Sequence, residues 1–280
     1  MLLGIDLGGT NIRIGQIDGA ELVKKTSHPS PSKMALGESL EYLKTHIGAM
    51  MTPDVEGIGI GVPSVVDVVR GIVYNATNIP AWEEVHLKDV LEAEFGVPVR
   101  VNNDANTFAL GEAEYGVGHG LRDVVGVTLG TGVGAGIVIG GTLYSGRNTG
   151  AGEIGSLPYL DATLEDYCGS NFFSRLHGTT GSEAAAAAAK GDAKAQAIWD
   201  EFGGHMGMLM QIILFTYDPE AVIFGGGISR AWPLFERATL AKMGEFPYPE
   251  TVRNIRIEIS RNPDIQILGA AALAKGVGVL

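Results

Sequence analysis

Apolar and polar residues follow one another along the chain in patterns that predict strands and helices in turn. An apolar run over residues 2–7 predicts a buried strand, and a strand pair is expected to continue to about residue 23. Leu36, Leu40, Leu43 and Ile47 recur at helical spacing, which predicts a helix over residues 35–50. The first 50 residues therefore show the succession of strands and a helix that is typical of an α/β protein.

The same succession continues to the end of the chain. Apolar runs at 55–62 and 97–101 predict buried strands, and helices are predicted over 87–95, ending at Gly96, and over 106–115. In the second half, Ser182 is a candidate N-cap for an alanine run at 184–189, followed by separate helices that reach residue 198 and span 203–215. This alternation indicates an α/β class with two layered sheets.

Composition and charge narrow the class of protein. The 280 residues are 45% hydrophobic and 19% charged, as in an ordinary globular protein, and at this length about two domains are expected. The net charge of -12 argues against sequence-independent binding to nucleic acid. Cys168 is the single cysteine, so no internal disulfide is possible. With no leader pattern and no apolar run of roughly 18 residues, we expect a cytoplasmic protein without membrane contact.

A glycine turn directly after the first strand is the first candidate for ligand chemistry. It contains Asp6, Gly8, Gly9, Thr10 and Asn11. The glycines let the backbone approach a nucleotide phosphate, and the two polar side chains offer donors. Asp6 suits a magnesium ion held through water. An ordinary glycine hairpin remains the alternative interpretation.

Two further glycine turns favour the nucleotide interpretation. Two strand-like segments flank Gly130, Thr131 and Gly132, so the chain contains a second glycine turn between strands. Backbone amides of such turns can hold a polyphosphate. Gly225, Gly226 and Gly227 follow the apolar run at 221–224, where open α/β sheets bind ligands. None of these turns is a Rossmann fingerprint or a Walker loop.

Asp104 is the candidate catalytic group. It follows a predicted strand and two asparagines, and it precedes a helix. A carboxylate there can accept the proton of a sugar hydroxyl that attacks a γ-phosphate, while Asn103 orients the acceptor. The competing interpretation is that Asp104 caps the helix.

Glu153 is a second candidate, because glycines on both sides leave room for a polyol whose hydroxyls a carboxylate can bind. A solvated loop glutamate is the alternative. The six histidines have no paired spacing and Cys168 has no second cysteine beside it, so no metal site is predicted.

These motifs together resemble the ROK family of sugar kinases and repressors. The match covers nearly the whole chain and joins the three glycine turns to the segments at 61–64, 78–82 and 101–106. The resemblance implies an actin-like (ribonuclease-H-like) ATPase fold with two lobes and an active-site cleft between them. It implies that Asp104 is the general base, that Asn103 and Glu153 are sugar ligands, and that Asn78 and Gly61 border the sugar.

The chain departs from the family pattern at two places. Ser156 stands where family kinases usually have a histidine that touches both sugar and zinc, which leaves the exact sugar open. The family's zinc loop keeps only Cys168, with Asp166 and Phe173 in place of two cysteines. Our hypothesis is that Phe172 and Phe173 replace the metal by apolar packing, so no zinc is expected.

The resemblance implies an ATP-dependent hexose kinase that uses Mg²⁺ and acts on glucose, and it implies a homodimer. Fructose, allose, mannose and N-acetylmannosamine remain alternative acceptors, and a sugar-binding sensor without turnover is the alternative function. Family repressors carry a helix-turn-helix segment before the first phosphate motif. This chain begins at that motif, so we expect a kinase and not a repressor. For the lobes we expect residues 1–115 with 265–280 in the smaller, and residues 116–264 in the larger.

Overall fold

The computed structural model describes residues 1–147 and 149–276, and these form a mixed α/β protein. The strands are β1 (Leu2–Leu7), β2 (Asn11–Asp18), β3 (Glu21–Pro29), β4 (Ile58–Val62), β5 (Val65–Asp67), β6 (Ile72–Tyr74), β7 (Glu84–His86), β8 (Val99–Asn103), β9 (Val124–Leu129), β10 (Val133–Ile139), β11 (Thr142–Leu143), β12 (Pro158–Tyr159), β13 (Ala162–Thr163), β14 (Ala221–Gly225) and β15 (Arg256–Ile259). The helices are α1 (Leu36–Gly48), α2 (Leu87–Phe95), α3 (Asp104–Tyr115), α4 (Leu164–Cys168), α5 (Asn171–His177), α6 (Gly181–Ala188), α7 (Ala193–Tyr217), α8 (Trp232–Met243), α9 (Pro249–Asn254) and α10 (Ile265–Lys275).

Two five-stranded sheets share one strand arrangement. The first has the order β3-β2-β1-β4-β8 and the second has the order β11-β10-β9-β14-β15. In the first sheet β1, β2 and β3 pair antiparallel, and β4 and β8 add parallel strands. In the second, β14 pairs parallel with β9 and β15. Both sheets therefore place the carboxyl ends of three parallel strands side by side, where α/β proteins bind ligands.

The chain divides into two compact units. Unit 1 comprises the described residues of Met1–Arg122, Gly136–Gly152 and Asn262–Leu280, and unit 2 comprises Asp123–Ala135 and Glu153–Arg261. The lobe boundaries expected from the sequence remain a prediction, and residues 277–280 of that expectation lie outside the described residues. Within the described chain, no helix combines the length and the apolar character needed to cross a lipid bilayer.

A pair of glycines in unit 1 makes room for the last helix. Gly4 of β1 and Gly59 of β4 are neighbours in the parallel register. A Cβ on Gly4 would lie 1.9 Å from the Ile267 carbonyl oxygen, and one on Gly59 would lie 1.7 Å from the Ala270 carbonyl oxygen. Helix α10 therefore packs directly on the backbone of the sheet, a close approach that only glycine permits.

Helix α10 also touches the helix that begins at Asp104. A Cβ on Gly269 would lie 1.8 Å from the Thr107 carbonyl oxygen of α3. The apolar side chains of α10 are buried almost without exception. Helix α3 is thus held by α10 as well as by its own strand, which gives the candidate catalytic group a rigid support.

The structure corrects two helix boundaries expected from the sequence. The N-cap of α6 is Thr180, whose hydroxyl accepts the Glu183 N–H at 3.2 Å, and Ser182 lies inside the helix. Residues 193–217 form one continuous helix, not two. Gly203 does not interrupt it, because α8 packs so closely that a Cβ there would lie 2.5 Å from the Phe235 carbonyl oxygen.

Candidate active site

Three parallel strands of unit 1 bring predicted site residues together. In the register of the sheet, Asp6 of β1 lies beside Gly61 of β4, and Gly61 lies beside Asn102 of β8. Asn103 follows opposite Val62, and Asp104 begins α3 directly afterwards. Segments far apart in sequence therefore end at one edge of the sheet, as their strand-end positions predict.

Asp6 is a buried carboxylate with a cationic partner. Its side chain is paired with Arg13, whose Nε and Nη2 donate to Asp6 Oδ2 at 2.8 and 2.6 Å. Arg13 also donates to the Pro263 carbonyl oxygen and to Gln266 Oε1, both at 2.7 Å. Burial raises the Asp6 pKa above its ordinary value, and the guanidinium opposes that shift. Arg13 thus favours the ionised carboxylate that a magnesium-bound water requires.

The first glycine turn closes the β1–β2 hairpin. The Gly8 N–H donates to the Asn11 carbonyl oxygen at 2.9 Å, and Gly9, Thr10 and Asn11 are exposed. A Cβ on Gly9 would lie 2.7 Å from Nδ2 of Asn78. The structure therefore places the predicted sugar-side asparagine against the predicted phosphate turn, within unit 1.

The N-cap of α3 is Asn103 and not Asp104. Asn103 Oδ1 accepts the N–H groups of Ala105 and Asn106 at 2.8 and 3.3 Å, and its Nδ2 donates to the Ser64 carbonyl oxygen at 3.3 Å. Asp104 is the first helical residue and is half-buried, and its Oδ1 accepts the Ala105 N–H at 2.9 Å. The N-cap interpretation of Asp104 is therefore wrong, because the neighbouring Asn103 is the N-cap residue of α3.

Unit 2 brings the other two glycine turns together. Strands β9 and β14 are parallel neighbours, with Gly225 opposite Thr128, and the turn at 130–132 follows β9. Gly226 has φ +85°, and a Cβ there would lie 2.2 Å from the Leu129 carbonyl oxygen. Two glycine-rich backbone segments, 130–132 and 225–227, thus lie side by side at adjacent strand ends, as a nucleotide site of backbone donors requires.

Glu153 begins the second segment of unit 2 and directly precedes a short 3₁₀ helix, Ile154–Ser156, which ends at Ser156. The side chains of Glu153 and Ser156 are exposed. Loss of hydration raises the Glu153 pKa, and the nearby carboxylate of Glu165 adds to the shift. Asp104 and Glu153 belong to different units, so unit 1 holds the candidate base and unit 2 holds this candidate sugar ligand.

The segment that resembles a degraded zinc loop is packed with aromatic rings. Phe172 and Phe173 are fully buried. The Phe173 ring centroid lies 4.7 Å from that of Trp199, and the Phe172 centroid lies 5.4 Å from that of Phe202. Each buried ring contributes roughly 1.5–3 kcal/mol from the area it removes from water. The apolar packing in our hypothesis is therefore present.

The polar residues of that segment do not fit a zinc ion. Asp166 closes a capping box at the start of α4, where Thr163 Oγ1 donates to Asp166 Oδ2 at 2.7 Å. Cys168 is fully buried, and burial raises the pKa of its thiol, which disfavours the thiolate that zinc binds. Across residues 1–147 and 149–276, no cluster of three or more His, Cys, Asp or Glu side chains could hold a metal ion.

Sequence reasoning missed two charged residues at these turns. Arg13 stands directly opposite Asp6 in the antiparallel register, which the alternation of β2 could have indicated. Glu165 Oε2 accepts the Val133 N–H at 3.4 Å, beside the second glycine turn. A Cβ on Gly132 would lie 2.4 Å from the same oxygen, a long-range contact without a local sequence pattern.

Residues 2–173 and 171–277 match the family model described as ROK family. The chain belongs to the ROK family. This ROK protein is 28% identical over 316 residues to the glucokinase of Halalkalibacterium halodurans, covering 98% of this chain and 94% of that protein. It is 31% identical over 271 residues to the N-acetyl-D-glucosamine kinase of Photobacterium profundum, covering 84% of this chain and 87% of that protein.

A solved structure supports the same assignment. The ROK family glucokinase from Streptomyces griseus, in complex with glucose and AMPPNP, superposes with a TM-score of 0.81 at 28% identity, covering 98% of this chain and 99% of that chain. The α/β class and the ribonuclease-H-like ATPase fold predicted from the sequence are thereby confirmed for this ROK protein.

Proposed function

We propose that this ROK protein is an ATP-dependent sugar kinase that transfers the γ-phosphoryl group to a hexose hydroxyl, with glucose as the leading acceptor. Relatives along nearly its whole length are a glucokinase and an N-acetyl-D-glucosamine kinase. The observation that carries the proposal is the position of the Asp104 carboxylate, on the first residue of a helix at the edge where three parallel strands end.

Asp104 is the general base of the proposed reaction. Its carboxylate accepts the proton of the attacking sugar hydroxyl as the oxygen bonds to the γ-phosphorus and ADP leaves. Asn103 keeps its amide oxygen in the helix cap, so its amide nitrogen is the group that orients the acceptor. Such positioning on a rigid helix is the main contribution a protein makes to phosphoryl transfer.

Backbone donors hold the nucleotide in this proposal. The three turns that provide them contain Gly8, Gly9, Thr10 and Asn11; Gly130, Thr131 and Gly132; and Gly225, Gly226 and Gly227. Asp6 fits a water-mediated Mg²⁺ ion, because one of its oxygens is bound to Arg13 and a single carboxylate suffices for such an ion. Mg²⁺ supplies charge neutralisation on the β- and γ-phosphates when bound.

The sugar side consists of Gly61, Asn78, Asn103, Glu153 and Ser156 in our proposal. Glu153 is well suited to two adjacent hydroxyls, and its raised pKa falls as hydroxyl donors bind the carboxylate. Ser156 is smaller than the histidine it replaces, so it sets which sugar substituent is accepted. We propose in addition a cytoplasmic homodimer, in line with the family resemblance and the single buried cysteine.

An acceptor panel tests the proposed function. We expect ADP release with glucose to exceed that with fructose, allose, mannose or N-acetylmannosamine, measured by a coupled assay with saturating ATP and Mg²⁺. Another sugar with the highest kcat/KM would reassign the acceptor and leave the kinase intact. Sugar binding by calorimetry without ADP release from any acceptor would instead indicate a sensor and contradict the proposal.

The aromatic cluster predicts independence from zinc. We expect purified protein to contain far less than one zinc per chain, and its melting temperature to stay the same after treatment with a chelator, since ring packing and not a metal holds this segment. Elemental analysis and thermal unfolding measure the two quantities. One tightly held zinc per chain, or a chelator-induced fall in melting temperature, would refute the hypothesis.

A further inference from the structure

We infer that Ser145 and Thr149 are positioning residues for sugar binding, because they fasten the segment that leads into Glu153 to the elements that carry Asp104. This inference rests on the proposed kinase function, in which Glu153 binds the sugar. Ser145, Thr149 and the groups they contact all belong to unit 1, whereas Glu153 is the first residue of the chain's return to unit 2.

The first fastening is a buried bond between Ser145 and Asn102. Asn102 Nδ2 donates to Ser145 Oγ at 3.0 Å, and the two residues are 1% and 8% exposed. Asn102 Oδ1 accepts both the Asn103 N–H at 2.8 Å and Asn106 Nδ2 at 2.9 Å. The bonds to Asn103 and Asn106 fix the orientation of the Asn102 amide, so Ser145 is tied to the first turn of the helix that Asp104 begins.

The second fastening joins Thr149 to strand β5. The Val66 N–H donates to Thr149 Oγ1 at 2.7 Å, and Thr149 is 1% exposed. Two residues before Val66, the Ser64 carbonyl oxygen accepts Nδ2 of Asn103. Both fastenings therefore lead back to the pair Asn102–Asn103, immediately before the candidate base.

The backbone of Thr149 is strained. Its φ is +54°, in the left-handed region, where a β-branched residue is a genuine outlier. Such strain persists only where surrounding contacts determine the conformation, and it concentrates at functional sites. The bond to Val66 is one such contact, so the sequence retains a costly conformation at the point where the chain is anchored.

Thr149 lies four residues before Glu153, and glycines occupy two of the three positions between them. Gly152 has φ +95°, so the chain turns there directly before the carboxylate. A ligand carboxylate must be held within a few tenths of an ångström of its productive position, and a loop alone does that poorly. Loss of an anchor should therefore weaken sugar binding while the nucleotide turns stay unchanged.

Thr149→Val tests the inference most directly, because valine keeps the β-branching and nearly the same shape and replaces only the hydroxyl by a methyl group. We expect a roughly tenfold or larger rise in the sugar KM and in the sugar Kd measured without nucleotide, with the KM for ATP within about twofold of wild type. Thr149→Ser keeps the hydroxyl and is the matched control, expected to stay near wild type. A merely structural role would lower stability without this split between the two substrates.

Ser145→Ala provides an independent second variant, which carries the test if Thr149→Val does not fold. We expect the same selective rise in the sugar KM, because the Asn102 amide loses its acceptor. An active wild type with sugar KM values unchanged in the folded variants overturns the inference alone. A wild type that phosphorylates no sugar of the panel overturns the proposed function and, with it, this inference.

Discussion

Replacing Asp104 by asparagine is expected to lower kcat by roughly 10²–10⁴-fold while leaving ATP binding near that of wild type. Asparagine has the shape of aspartate but cannot accept the hydroxyl proton. The fold should tolerate the change, because Asn103 accepts the Ala105 and Asn106 N–H groups at the start of α3, and an asparagine at position 104 keeps an oxygen that can accept the Ala105 N–H. Steady-state kinetics and calorimetry with an ATP analogue measure the two effects.

Glu38→Gln is the matched control for that substitution. Glu38 is likewise an acid in the first turn of a helix, but it is exposed on α1. It should keep the wild-type kcat and melting temperature. If Asp104→Asn retained its rate, Asp104 would not be the base, and if it lost both rate and melting temperature, the residue would support the fold first.

Gly59→Ala is expected to lower the free energy of unfolding by at least about 3 kcal/mol, the largest stability effect we predict. The added methyl would lie 1.7 Å from the Ala270 carbonyl oxygen, which belongs to the backbone of a buried helix and cannot rotate away. Helix α10 would have to move off the sheet, and the contacts of its buried side chains would be lost. Urea denaturation followed by circular dichroism measures the change.

Gly57→Ala is the control at the foot of the same strand. A Cβ there meets its nearest atom, the Pro98 carbonyl oxygen, at 3.5 Å, an ordinary contact, and Gly57 has no positive φ. The cost should stay within about 1 kcal/mol. Equal losses for Gly57→Ala and Gly59→Ala would show that the close approach of α10 is not what requires glycine.

Local patterns predicted much of the fold because their causes are local. Gly96 ends α2 in the left-handed conformation, as the glycine after the predicted helix indicated. The three glycine turns were found because backbone that approaches a neighbour or a ligand closely must lack side chains, and this requirement is visible in sequence.

Long-range packing decided the features that local patterns missed. The sequence predicted two helices, one reaching residue 198 and one spanning 203–215, but α7 is continuous, and Gly203 lies within it where α8 packs closely. Asp104 as helix cap was a sound local alternative, and only the geometry shows that Asn103 takes that place. Thr149 and the Val66 N–H that it accepts are 83 positions apart, and no helix or strand periodicity in the sequence relates residues so far apart. The roles assigned to the site residues remain predictions that the kinetic experiments test.

The packing of α10 on β1 and β4 has a consequence for folding during synthesis. Strands from the first quarter of the chain must wait for residues 265–275 before their glycine face is covered. Nearly the entire polypeptide is therefore synthesised before α10 can cover the first sheet. Until then the apolar surface of that sheet is exposed and can bind chaperones. A premature stop shortly before residue 265 would leave an amino-terminal sheet permanently open to aggregation, even though every strand of it had been translated.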